Sequence, residues 1–486
     1  MSRAADREPF DPRARVAIDL GAESCRVSLL RWQHGRPGII EVHRMANAPV
    51  IRGSSHHWPL GRILAGLEEG LRKAADVAQE GIASIAVDGW AVDYVRLGED
   101  GKPLQDPFCY RDERTVASKE KADAILSPGA AFQRTGAQPL RINTVYQLMA
   151  ENADLAERPW LCLPEYVLHW LGAPRIAEYT NATHTGLVDP ATGRWARDVF
   201  EALAIPIASA PRIVPPGTRL GKMSGPLSAL PAYRETELIA PACHDTASAI
   251  AGIPADLESA AYICSGTWSL VGTLVADPIT SNEALAARYT NQGAAAGGFC
   301  FHSNVNGMWL LKQCMEAWAA DGRAWAVPDL VKLAAECAAP TGTINVDVER
   351  LLLADNMPQK INEELVRFGQ EAIPDAPGNE PRFARLIFES LAARYATALA
   401  DLENMLGRKL TRVHIVGGAS RNQLLRDLAS RCCGVPVDCG HPESSTIGNF
   451  AVQLAASESP DTPLSSAAIR RWASPICSAA EFQALH

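Results

Sequence analysis

The chain has 486 residues, 47% of them hydrophobic and 21% charged, with 46 Lys and Arg against 55 Asp and Glu. At about 150 residues per domain this length predicts two or three domains with sizeable cores. A net charge of −9 with no basic block argues against nucleic acid or an anionic membrane as partner.

In chain order, Arg3, Asp6, Arg7, Glu8, Asp11, Arg13 and Arg15 come first and leave no apolar core for a signal peptide. Val16–Asp19 is a short apolar run ending in an acid, Gly21 follows, and Val27–Trp32 alternates. The pattern predicts two strands joined by a tight turn. Ile63, Leu64, Leu67 and Leu71 give Ile63–Val77 a helical face, and Ile82–Val87 is a further strand ending in Asp88. The middle, Pro107–Pro241, is rich in Pro and Gly with short amphipathic pieces.

Ala260–Val275 then reads as strand, turn and strand around Ser265-Gly266-Thr267, repeating the device of Val16–Trp32 about half a chain later. This repeat predicts duplicated domains facing each other. Ser259–Ala276 and Tyr289–Leu311 lack Asp, Glu, Lys and Arg but are studded with Gly, Ser, Thr and Asn, which suits buried segments around a site rather than a lipid-facing helix. Arg385–Leu406 has helical apolar spacing and ends at Gly407, a C-cap residue. Strand Val413–Val416, Gly417-Gly418 and helix Asn422–Arg431 follow. Strands alternate with helices in both halves, so the fold class is α/β. The 12 cysteines form no C-x-x-C pair, against a metal finger or dithiol redox site, and imply reduced thiols in the cytoplasm.

Several segments carry residue types suited to chemistry, each with a plainer structural reading beside it. Asp19 followed by Gly21–Arg26 can hold a hydrated Mg²⁺ with turn amides toward phosphate, or be an ordinary hairpin. Ser265–Thr267 allows close approach of a phosphate, or is simply a tight turn. Gly417 and Gly418 can sit against a ring or phosphate, or serve the strand-to-helix geometry. Asp245 can accept a proton from an alcohol during phosphoryl transfer, or cap a small-residue helix. Trp90 between Asp88 and Asp93 suits a sugar, or is a core tryptophan beside solvated acids. Tyr110–Thr115 reads as a polar network or a charged turn. His56-His57 reads as surface.

Taken together and in order, these segments resemble the FGGY family of carbohydrate kinases, over about residues 15 to 455. The matching stretches include Val16-Ala-Ile-Asp-Leu-Gly-Ala22, Asp88-x-Trp-x-Val-Asp-Tyr94, Tyr110-Arg-Asp-x-Arg-Thr115, Glu178-Tyr-Thr-Asn-Ala-Thr183 and His244-Asp-Thr-Ala-Ser-Ala249. Ser265-Gly-Thr-Trp-Ser-Leu270, Asn304 with Gly307-Met-Trp-Leu-Leu311, His414-Ile-Val-Gly-Gly418 and Glu443-x-Ser-Thr-x-Gly448 complete them. Within the family the rhamnulokinase branch is the most similar.

The resemblance implies two ribonuclease-H-like domains around a catalytic cleft: residues 1–250 mainly for sugar, 251–460 mainly for ATP, and a C-terminal tail at 461–486. It implies Asp245 as general base, with Trp90, Ala91, His244, Thr246 and Asn304 beside the sugar. Asp19 would hold Mg²⁺. Ala22, Glu23, Ser24, Cys25, Arg26, Thr267, Lys312, Gly417 and Gly418 would face the nucleotide. The implied reaction moves the γ-phosphoryl group of ATP to a ketose, L-rhamnulose giving its 1-phosphate. A kinase for another ketose or deoxy sugar such as L-fuculose, or a weak sensor on the same fold, stays open, as does the oligomeric state. Glu23, Cys25, Ala91 and Lys312 stand where that branch has a small hydroxyl residue, glycine, glycine and glutamine.

Overall fold

The computed structural model describes residues 11–353, 355–459, 462–479 and 482–484; the charges noted at Arg3–Glu8 lie outside them. The first sheet is built on β1 (Ala14–Leu20), β2 (Ser24–Gln33), β3 (Arg36–Ala46), β4 (Ile82–Gly89) and β5 (Glu237–Ile239). β1, β2 and β3 form an antiparallel meander, and β4 and β5 run parallel to β1 on its other side. The turn at Gly21 is tight: its N–H donates to the Ser24 carbonyl at 3.1 Å, and a β-carbon there would collide with that oxygen. Helix α1 (Leu60–Val77) buries Leu60, Ile63, Leu67, Leu71 and Ala74 as one stripe.

The second sheet repeats this plan. β6 (Ala260–Ser265) pairs antiparallel with β7 (Trp268–Val275), and β8 (Tyr289–Gly293) and β9 (Phe299–Asn306) extend that side. β10 (Arg412–Val416) and β11 (Val437–Cys439) run parallel on the other. An antiparallel triplet continued by two parallel strands, found twice, shows the duplication expected from the repeated hairpin and the ribonuclease-H-like plan that the family resemblance implied. The two uncharged stretches supply β6 to β9, which lie side by side from β8 at the sheet edge to β6 at its centre.

Helices complete the halves by exchange. α2 (Asp245–Ala251) leaves the first half and packs Ile250 among Tyr262 and Cys264 of the second sheet. α3 (Trp309–Ala320), α4 (Glu380–Leu406) and α5 (Gln423–Cys433) belong to the second half. Gly407 ends α4 in the left-handed conformation, φ 63°. α6 (Ser444–Glu458) follows β11 but lies over the first sheet. Its Gln453 bonds the Val16 carbonyl at 3.0 Å and the Ser84 hydroxyl at 2.6 Å. α2 and α6 cross at Gly252 and Gly448, where β-carbons would strike the Ser444 and Ser248 carbonyls.

Of the stretch 461–486, set apart above as a tail, the described residues form α7 (Ser466–Ala479) and a strand at 482–484 paired with β3. Ile469, Trp472, Ala473 and Ile476 of α7 pack with Ala17, Leu30 and Ile39 of the first sheet. The pair read as surface also divides: His57 is buried against Phe108, its Nδ1 3.0 Å from the Asp106 carbonyl, because Asp112 draws the chain inward through the His56 N–H. Tyr110–Thr115 is accordingly a network, with Asp112 buried at its centre.

Candidate active site

The hairpin turns of the two halves meet across a cleft. Glu23 in the first accepts a hydrogen bond from Lys312 of α3 at 2.5 Å and one from the Thr267 hydroxyl of the second turn at 3.4 Å. Three nucleotide-side candidates are thus brought together. Ala22 and Ser24 flank them, half-buried. Cys25 is not among them: its side chain turns into the core of the first half, and burial pushes the thiol up to about 12.

At the end of β10, Gly417 has φ 84°, and a β-carbon on it would lie 2.7 Å from the Ser265 carbonyl oxygen. Glycine is therefore required there. A β-carbon on Gly418 would meet nothing within 4 Å, so this residue forms the open side of the turn.

Three carboxylates converge between the sheets. Asp19 and Asp88 are register partners on β1 and β4, and Asp245 is the first residue of α2, with His244 as its N-cap. Asp19 Oδ2 accepts Arg26 at 2.7 Å and Ser445 at 3.0 Å, and Arg26 also pairs with Glu443. Asp88 is wholly buried; Asn449 donates to one oxygen at 2.6 Å while the other has no hydrogen-bond partner among the described residues. Burial, then the neighbouring Asp19, pushes Asp88 well above the usual carboxylate range.

Asp245 is pushed up to about 7 by burial first and by Asp19 second. Its side chain keeps 36% of its surface open, and solvent tempers this effect. Both of its side-chain partners, the Thr246 hydroxyl and His244 Nε2, at 3.2 Å each, are on Oδ1, which leaves Oδ2 to accept from elsewhere. Burial and nearby His302 hold His244 near 3, so it is neutral, with Nε2 lying 3.2 Å from Asp245 Oδ1.

Asn304 lies on the same face of β9 as His302 and Cys300, two residues apart each time. Trp90 packs against Trp58 with ring centroids 4.5 Å apart and the rings tilted by 47°, and both indole N–H groups donate to Asp93. It is a core tryptophan, but the acids beside it are not solvated, because Asp88 and Asp93 are fully buried. Ala91 is buried, and Val92 after it has φ 72°, a strained value for a β-branched residue. Its carbonyl is gripped by Thr144 and Gln147 at 2.8 and 3.2 Å, which fixes the direction of the chain at Ala91.

Glu443, Ser445 and Asn449, which reach Asp19, Arg26 and Asp88 from α6 and the loop before it, carried no assigned role in the sequence. The signal for Glu443 and Ser445 was the matched stretch Glu443–Gly448; Asn449 comes directly after it. Among the described residues no cluster of three His, Cys, Asp or Glu is arranged to hold a metal, and no helix is long and apolar enough to cross a membrane.

Comparison with known proteins decides the lineage. Family models for the N- and C-terminal domains of the FGGY family of carbohydrate kinases match residues 14–252 and 261–457. The chain belongs to this family. It is a carbohydrate kinase. Among FGGY relatives it is 35% identical over 451 residues to a rhamnulokinase of Pectobacterium carotovorum subsp. carotovorum, covering 91% of this chain and 88% of the other. A rhamnulokinase of Bacteroides thetaiotaomicron is 33% identical over 442 residues, with 90% and 89% covered. The fold matches a xylulose kinase of Lactobacillus acidophilus at a TM-score of 0.74 and 16% identity, covering 94% and 91% of the chains. It matches the glycerol kinase of Plasmodium falciparum with ADP at 0.73 and 14%, covering 95% and 92%.

Proposed function

We propose that this FGGY kinase transfers the γ-phosphoryl group of ATP to L-rhamnulose, giving the 1-phosphate, with Asp245 as the base. The observation that carries the chemistry is Asp245 itself. It is a cleft carboxylate at a helix start, poised near neutrality, with one oxygen committed to neighbours and the other free. Such a group removes the proton from a weakly nucleophilic alcohol as the phosphoryl group arrives. The relatives named rhamnulokinase support the choice of sugar.

The donor set suits Mg²⁺, which asks for only one or two protein carboxylates and takes its other ligands from water and phosphate. Arg26 and Ser445 both bind Oδ2 of Asp19, so Oδ1 remains to hold the ion, which when bound would neutralise phosphate charge. Thr267 and Gly418 line the nucleotide side, and His244, Thr246 and Asn304 the sugar side. Ala91 adds a methyl group near the sugar, and one methyl shifts preference by only about 1–3 kcal/mol. The test is a coupled ATPase assay over a panel of ketoses and deoxy ketoses, with the product phosphate located by NMR. L-Rhamnulose should give the highest kcat/KM and a 1-phosphate; a higher value for L-fuculose would overturn the substrate while leaving the chemistry.

Glu23 yields a separate expectation. Glu23 and Lys312 are each about half exposed, and a pair of this kind contributes at most about 1 kcal/mol. An entering triphosphate therefore competes for Lys312 on favourable terms. Glu23→Ser frees that lysine and restores a hydroxyl, so the KM for ATP should fall by up to about fivefold, with the sugar KM unchanged. Reduced activity rescued by added Mg²⁺ would instead make Glu23 a metal-holding group.

A further inference from the structure

The turn Glu178–His184 lies behind the cleft and is bonded to both of its sides. Glu178 and Thr180 are wholly buried. One Glu178 oxygen accepts the Thr180 N–H at 2.9 Å; the other accepts the Thr180 hydroxyl at 2.5 Å and the Cys243 N–H at 2.8 Å. The Thr180 hydroxyl in turn accepts the His244 N–H at 3.2 Å. The two amides immediately before Asp245 thus both end on this pair. Glu165 backs the arrangement, accepting the Glu178 N–H at 3.0 Å and the Asn181 amide at 2.8 Å.

The same turn reaches the other half. The Thr183 hydroxyl accepts the Gly293 N–H at 2.8 Å, and His184 Nδ1 pairs with Gln292 of β8 at 2.9 Å. The His184 ring lies against His244, centroids 3.8 Å apart. Cys243 and His244 lie in the connection between β5 and α2, where pairing with β4 has come down to a single bridge, the Gly89 N–H donating to the Cys243 carbonyl at 2.9 Å. A carboxylate holding three donors is a stiff anchor for such a connection. The direction in which α2 begins, and so the place of Asp245 Oδ2, follows from that anchor.

We propose that Glu178 and Thr180 are positioning residues for the phosphoryl transfer: they set the Asp245 loop from behind, and Thr183 and His184 tie that setting to the second sheet. This rests on Asp245 being the base. Neither Glu178 nor Thr180 touches the cleft, so their effect passes through Asp245. Rate falls steeply with small errors in the placing of a reacting group, and binding does so much less.

The test compares Thr180→Val, which keeps volume and deletes the hydroxyl, with Thr180→Ser, which keeps the hydroxyl. The valine variant should lose roughly 10- to 100-fold in kcat with both KM values within about threefold, and serine should restore kcat to within about threefold. Placed on an Asp245→Asn background, Thr180→Val should change the remaining rate by less than about twofold, because the group it positions is gone. A valine variant with normal kcat per folded molecule overturns the proposal. So does an equal loss on the Asn background, which would mark Thr180 as a general support of the fold. If Thr180→Val does not fold, Glu178→Gln, which keeps the shape but replaces one accepting oxygen by an amide NH2, is read against the same outcomes. Normal kcat in Asp245→Asn alone would remove the base assignment, and the positioning proposal with it; loss there with none in Thr180→Val removes only the positioning.

Discussion

Asp245→Asn should lower kcat by about 10²–10⁴ while leaving the sugar KM within a few-fold. The amide keeps the shape of the carboxylate and an oxygen for Thr246 and His244, but cannot take up the alcohol proton. Wild-type pH dependence gives a second reading of the same group. Burial and Asp19 raise Asp245 to about 7, and the base must be ionised to work. Activity is therefore present above that value and lost as pH falls through it, by about tenfold in kcat/KM per pH unit on the acid side. The asparagine variant should lose this limb. A variant with near-normal kcat, or an unchanged acid limb, would end the assignment.

Gly448→Ala should be among the most destabilising single substitutions in the chain. The crossing of α2 and α6 brings backbone against backbone, so the new β-carbon has no flexible side chain to displace; it meets the Ser248 carbonyl and lies 2.8 Å from the Gly252 nitrogen. Overpacking typically destabilises by about 1–3 kcal/mol, and a rigid backbone contact belongs at or above the top of that range. α6 also carries Ser445 and Asn449 to Asp19 and Asp88, so separating the helices disturbs the acids as well. The urea midpoint should fall, and kcat per folded molecule with it. An unchanged midpoint would mean that the crossing is looser than the structure has it.

Local features of the fold were legible in the sequence because local chemistry writes them. Gly21 and Gly266 mark the two hairpins, and Gly407 closes α4. Asp245 was legible as a helix-start carboxylate. What escaped depends on distant partners. Nothing near Gln453 tells that it bonds Val16 and Ser84 of the first sheet. Cys25 stands in a turn that suits phosphate, yet its strand register sends the thiol inward. Asp93 reads as solvated until Trp58, Trp90 and Gln147 are seen donating to it. The helix in the supposed tail did leave a signal, since Ile469, Trp472, Ala473 and Ile476 have helical spacing, but Pro475 within it obscured the pattern.

The exchange of helices also sets a timetable for synthesis. β1 and β4 are complete by Gly89, but the helix that covers one face of them ends at Glu458. At roughly 5–20 residues per second, about 20 to 70 seconds separate the two on the ribosome. Through that interval the Val16 carbonyl, Ser84 and Asp88 await their partners on α6. The amino-terminal half therefore cannot finish folding as an independent unit while it emerges. A nascent chain of this protein needs shelter, from a chaperone or from its own temporary collapse, until α6 has been made.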